Sequence, residues 1–346
     1  MREFEHGGDI FQFAKEADCN ISEIIDLSSN INFVKPKIDI DFNSLNISSY
    51  PNYQQLTKKV AEYYQLQERN IELFNGATVA IDALLRNLRS VSQTCIIYSP
   101  AYLEYKRVAQ KYSYQIELFD RFLPSKAPPK NSVVIFVNPS TPDGRFYEIR
   151  EAIKLWDSLG CKIIIDESFL DFYSLEKSIT SCLNSAKELF VIKSMTKFFG
   201  SAGVRVGLII ARESFVIELK EREPLWKISA FDSAYIVSAL EDLDFPQRSR
   251  EANFISKQYL IDGLKGLKGK IISKIYPSSA NFLLLQLKME AKTLQNMLIS
   301  QRIMIRDCSN FDYLDGYFAR VAVKDIESLG KFIDALRGIE SWKTLE

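Results

Sequence analysis

Short apolar runs alternating with stretches of helical periodicity constrain the fold more than any other feature of this sequence. The runs are Cys95–Tyr98, Val133–Val137, Lys162–Ile165, Leu189–Lys193, Val206–Ile210, Phe282–Leu287 and Phe318–Val323. Several are nearly unbroken Ile, Val, Leu and Phe, the pattern of strands covered on both faces. Between them the spacing predicts helices over Gln55–Tyr64, Val79–Leu88, Leu103–Tyr112, Glu148–Ser158, Ser214–Arg222, Ala230–Leu243, Arg250–Gly266, Ala291–Gln301 and Ile326–Leu336. Such alternation predicts an α/β protein with a mostly parallel central sheet, helices on both faces, and a smaller α+β unit after it. The Pro- and Lys-rich stretch Pro124–Lys130 reads as a connection, whereas the chain turns mostly helical after Glu223–Trp226. The expected division is an arm over residues 1–45 that joins the small unit, a large unit over 46–225 and the small unit over 226–346.

Composition excludes several classes of function. Lys plus Arg (44) balances Asp plus Glu (44), which argues against a general nucleic-acid binder or a partner of anionic membranes. No apolar run approaches the ~20 residues of a membrane span, and no secretory leader is visible. Cys19, Cys95, Cys161, Cys182 and Cys308 are scattered and odd in number, with no C-x-x-C pair. Free thiols of this kind fit a reducing cytoplasm, the expected location. His6 is the single histidine, so a multi-histidine metal site is impossible and no metal is expected.

Chemistry concentrates in Lys193-Ser-Met-Thr-Lys197, which follows an apolar run and precedes Gly203, Arg205 and Gly207. A lysine just past a buried strand is open to desolvation, which frees its amine as a nucleophile. Neighbouring hydroxyls and a guanidinium eight residues on (205 − 197 = 8) suit a phosphate dianion. Alone, Ser-x-x-Lys is more often a helix start with a surface lysine. The context is Ile163-Ile-Ile-Asp166, where a carboxylate ends a strand at the sheet edge that carries sites in open α/β folds. Asn75-Gly-Ala77-Thr78 opens a helix whose N–H groups can hold an anion.

Asp166-Glu-x-Phe169, then Ser194-x-Thr-Lys197 beginning 28 residues after Asp166 (194 − 166 = 28), then Gly203-x-Arg205-x-Gly207, resembles the fold-type-I pyridoxal 5′-phosphate (PLP) enzymes. The likeness is to the branch holding histidinol-phosphate aminotransferases and the threonine-phosphate decarboxylases of cobalamin biosynthesis, and it runs from about His6 to Val323. It implies the aspartate-aminotransferase fold, with Lys197 as the lysine that carries PLP and Asp166 as partner of the ring nitrogen. It further implies that Ser194, Arg205, Ala77 and Thr78 hold the cofactor phosphate, and that Tyr102, the third catalytic candidate, stacks on the ring. Tyr50, in Tyr50-Pro51, matches a residue that reaches the neighbouring subunit's cofactor, which implies a homodimer with shared active sites.

Two departures bear on the reaction. Thr141 stands where the family has an asparagine facing the cofactor's 3-oxygen, with Asn138 as the alternative donor. Phe169 replaces a tyrosine common in aminotransferases, a feature shared with the threonine-phosphate decarboxylases. In that group the residues matching His6, Asn30 and Arg306 take the substrate phosphate, and Arg320 matches the carboxylate-binding arginine. The resemblance thus implies decarboxylation of O-phosphothreonine or O-phosphoserine, with a histidinol-phosphate or related aminotransferase as the alternative.

Overall fold

The computed structural model describes residues 7–123 and 126–343. Its strands are β1 (Ile25–Asp26), β2 (Ile71–Phe74), β3 (Thr94–Ser99), β4 (Gln115–Asp120), β5 (Val133–Val137), β6 (Lys162–Asp166), β7 (Leu189–Ser194), β8 (Gly207–Ile210), β9 (Ile272–Ile275), β10 (Phe282–Leu287), β11 (Ile303–Met304), β12 (Arg306–Asp307) and β13 (Phe318–Ala322). The helices are α1 (Ile10–Glu16), α2 (Gln54–Tyr64), α3 (Ala77–Leu88), α4 (Glu104–Lys111), α5 (Arg150–Ser158), α6 (Met195–Phe198), α7 (Glu213–Arg222), α8 (Ala230–Glu241), α9 (Phe245–Lys265), α10 (Ala291–Ile299) and α11 (Ile326–Lys343).

Seven strands form one sheet in the order β2-β8-β7-β6-β5-β3-β4. The β7-β6-β5-β3-β4 run is parallel, and only β8 opposes its neighbours. Side chains alternate across a strand, so Ile163, Ile165 and Val191 enter one core with Trp156 and Phe198, whereas Ile164, Phe190 and Ile192 enter another with Leu84, Tyr105 and Val108. Helices on both faces explain why these strands read as unbroken apolar runs. A second sheet, β12-β13-β10-β9, packs with α9 and α11 around Leu264, Leu285, Val321 and Phe332. β1 pairs with β11, tying the N-terminal segment to this unit. Ile236 and Leu240 of α8 share the core of the large sheet.

The expected runs contain none of β1, β2, β4, β9, β11, β12, α1 and α6, and three of the differences have a direct physical reason. β4 goes unrecognised because it is the sheet edge, where Gln115 and Glu117 face solvent and break the apolar run. α9 starts at Phe245, five residues before the expected Arg250, because Pro246 falls in the first turn, where a missing N–H costs nothing. α1, capped by the Asp9 carboxylate on Gln12 N–H, is too short for its period to show.

Candidate active site

Every loop that contributes to the main cavity leaves the carboxyl edge of the parallel strands or comes from the second unit. The cavity is lined by Ala77 and Thr78 at the start of α3, Tyr102 after β3, Thr141 after β5, Asp166 at the end of β6, and Ser194 and Lys197 around the β7–α6 turn. Arg205, Asn30, Arg306 and Arg320 complete the expected set there. Of the expected site residues, Tyr50 alone among those described lies elsewhere. It is 75% exposed and stacks on Trp226 with ring centroids 4.1 Å apart. His6 lies outside the described residues, while Gly7 lines the cavity.

Period-two geometry sets the floor. Asp166 and Ser194 continue the rows that carry Ile164 and Ile192, so both point to the face on which the cavity opens. Asp166 accepts from the Tyr105 hydroxyl at 2.9 Å and from Ser168 N–H at 2.8 Å. Burial raises its pKa against those two bonds. Both donors are neutral, so the site offers a protonated ring nitrogen an ionic partner. Tyr105, fully buried on α4, escaped sequence reasoning, since an apolar-face tyrosine reads as core.

Lys197 sits among cations. Burial first, then Arg320, Arg205 and Lys324, pull its pKa down to about 8, with Asp26 opposing them. Among the described residues no carboxylate stands within ion-pair distance of its Nζ.

The α3 N-terminus and Arg205 form a cradle. Gly76 caps α3 at φ +83° with no side-chain cap bond, so the first-turn N–H groups face the cavity side unshared with a capping side chain. A Cβ on Gly76 would stand 2.5 Å from Arg205 Nη2, which only glycine avoids. Arg205 Nη1 also bonds Thr196 Oγ1 at 3.3 Å. Helix N–H groups, Ser194, Thr196 and a guanidinium are the donor set of a phosphate dianion, and they fit the phosphate end of PLP.

The far wall belongs to the second sheet. Arg320 Nη1 donates to Thr141 Oγ1 at 3.0 Å and Nη2 to the Ser28 carbonyl at 2.9 Å. Thr141 thus keeps its own proton for donation into the cavity. Asn138 turns to Tyr147 and does not line the cavity: its amide donates to the Tyr147 carbonyl and accepts from Tyr147 N–H, both at 2.9 Å. Arg306 Nη2 donates to Asn310 Oδ1 at 2.8 Å. The buried Asn30 Oδ1 has no hydrogen-bond partner among the described residues. Sequence reasoning also missed Ser28, Ser29 and Phe311, which line the same wall.

Comparison with known proteins agrees with this layout. The family described as "Aminotransferase class I and II" matches residues 23–336. A putative threonine-phosphate decarboxylase from Caldanaerobacter subterraneus is 30% identical, the match covering 98% of this chain and 95% of that one. An adenosylcobalamin biosynthesis bifunctional protein, CobDQ, from Leptospira interrogans is 28% identical over 97% of this chain, which spans only 41% of that longer protein. Among solved structures, the histidinol-phosphate aminotransferase from Clostridium acetobutylicum superposes with a TM-score of 0.80 at 28% identity, covering 91% of this chain and 98% of that one.

Proposed function

The chain belongs to the class I and II aminotransferase family, whose fold it has and whose cofactor is PLP, and from that premise we propose that it decarboxylates a phosphorylated hydroxy-amino acid. The substrate is O-phospho-L-threonine or its lower homologue O-phospho-L-serine, and the product is an aminoalkyl phosphate for cobalamin biosynthesis. One observation carries the reading: Arg306 and Arg320 are direct partners across the β12–β13 ladder, both buried, and both line the cavity that holds Lys197. Like charges placed directly opposite cost stability, and a ligand with two anionic groups offsets that cost.

Bound PLP supplies an electron sink for whichever substrate Cα bond stands perpendicular to its ring. Asp166 would hold the ring nitrogen, Tyr102 the ring face, and Ala77, Thr78, Ser194 and Arg205 the phosphate. Thr141 would donate to the ring's 3-oxygen. Lys197 would carry the cofactor, and its partly neutral amine can take or return a proton at Cα. Arg320 would fork the substrate carboxylate, while Arg306, Asn30 and His6 take the substrate phosphate; these two anchors set which Cα bond is presented. Support for the pathway comes from the two relatives named for threonine-phosphate decarboxylation and adenosylcobalamin synthesis.

A second reading, a histidinol-phosphate or related aminotransferase, has support in the solved relative of that name. The PLP-loaded protein, given O-phosphothreonine without a keto acid, is expected to release carbon dioxide and an aminoalkyl phosphate. Transfer of an amino group from histidinol phosphate to a keto acid, with no carbon dioxide from O-phosphothreonine, would establish the second reading instead.

The exposed Tyr50–Trp226 stack supports a homodimer in which Tyr50 serves the adjacent site. We place the division of the chain as the sequence suggests, with the arm before residue 46 joined to the small unit through β1. Among the described residues no helix is long and apolar enough to cross a membrane.

A further inference from the structure

We infer that Asp26 is a positioning residue that, through Ser28, sets the spacing of the two arginine anchors and so selects substrates carrying two anionic groups. The inference rests on the reading above that Arg306 and Arg320 receive those groups.

Asp26 lies on β1 and does not line the cavity, although its charge is felt at Lys197, and its one carboxylate gathers four donors. It accepts from Ser28 N–H at 2.8 Å, Ser28 Oγ–H at 2.7 Å, Ser29 N–H at 3.1 Å and the Ser29 hydroxyl. Burial would raise its pKa, but Ser29, Ser28 and Lys324 outweigh burial and hold it below the usual value. The carboxylate is therefore charged, and bonds to a charged acceptor are the stronger kind.

Two lines of contact leave this turn. The Ser28 carbonyl accepts from Arg320 Nη2 at 2.9 Å. The Ser28 hydroxyl has its proton committed to Asp26, so its oxygen is left to accept, and it takes Gly8 N–H at 2.9 Å. That bond seats Gly7 between Ser28 and Arg306. A Cβ on Gly7 would stand 2.9 Å from the Ser28 oxygen and 3.0 Å from Arg306 Cδ, so no other residue fits without moving the arginine. β1 is itself registered on β11, Asp26 opposite Met304, two residues before Arg306. One carboxylate thus fixes Arg320 from one side and the packing of Arg306 from the other. A ligand that must satisfy both arginines feels their separation; a ligand that needs only one does not.

The test compares wild type with Asp26→Asn and Ser28→Ala, each loaded with PLP that is then fixed by borohydride reduction so that no probe is turned over, by calorimetric titration of three probes. These are O-phospho-L-threonine, with two anionic groups, L-threonine, with the carboxylate alone, and inorganic phosphate. Both variants are expected to fold and to bind PLP, with Asp26→Asn melting lower because it loses the charged acceptor of four bonds, so affinities are compared well below both melting temperatures. Affinity for O-phosphothreonine should fall roughly ten-fold, the scale of a weakened bond to a charged group. Affinity for the other two probes should change by no more than about two-fold, within the scatter of single-contact effects. Equal weakening of all three probes would show a merely structural role and overturn the inference, as would no weakening. Should one variant fail to fold, the other decides. If wild type itself binds O-phosphothreonine no better than threonine, the two-anion reading falls, and the role of Asp26 falls with it.

Discussion

Two buried lysines, four residues apart, lie at the same edge of the central sheet and live in opposite electrostatic worlds. Lys193 is on the face of Ile165 and Val191. It is 1% exposed, 2.9 Å from the Glu167 carboxylate, 4.0 Å from Asp171, and over the Tyr64 ring at 4.6 Å. Glu167 also accepts from Ile179 N–H at 2.8 Å and Ser178 Oγ at 2.7 Å, so both its oxygens are engaged. Lys197, past the end of the strand on the cavity side, has Arg205, Arg320 and Lys324 for neighbours and a pKa pulled down to about 8. Burial is common to both; what differs is the counter-charge. A buried lysine becomes a nucleophile where the fold withholds a carboxylate, and a structural cation where the fold supplies one.

Substitution at each lysine can break that contrast. The largest effect is expected from Lys197→Ala: PLP absorbance from covalent attachment and turnover both vanish while the fold persists by circular dichroism. A folded, fully active Lys197→Ala protein would remove Lys197 from the chemistry. Next is Asp166→Asn, which keeps PLP bound but slows turnover by orders of magnitude, because an uncharged ring is a poorer electron sink. Near-normal turnover there would leave Asp166 without its role.

Lys193→Met should act on stability instead. It strands two carboxylates in the core, and breaking a buried pair by removing one partner costs about 3–5 kcal/mol. Denaturant unfolding should show that loss while turnover per folded molecule stays close to wild type. A loss of turnover with unchanged stability would erase the distinction between the two faces. The smallest effect expected is the pH dependence of cofactor capture by the protein freed of PLP. Only the neutral amine attacks, so below about 8 the capture rate should fall roughly ten-fold per pH unit, and above that value it should level off. A rate that keeps rising past pH 10 would mean an ordinary lysine.

Much of the large unit was legible in sequence because its signals are local. An unbroken apolar strand ending in Asp166 reveals both the sheet and a carboxylate at its mouth. The spacing from Ser194 to Arg205 carries the phosphate donors in one stretch. Edge strand β4 was hidden by its own exposure, and α1 by its shortness. Tyr105 was hidden for another reason: on an apolar helix face, nothing local tells a core tyrosine from one that serves Asp166.

The sequence by itself determined the family and the α/β order, since a strand's parity and a helix start depend on neighbours only a few residues away. Tertiary structure alone decided how the far wall of the cavity is arranged, although Asn30, Arg306 and Arg320 were named from the sequence. Asn138 and Thr141 are three residues apart and both polar, yet Tyr147 consumes one and Arg320 meets the other. Arg306 and Arg320 become partners through a ladder, and the Ser28 carbonyl meets Arg320 from near the other end of the chain. Such contacts arise from sheet register and loop packing between distant segments, and spacing along the chain carries no record of them.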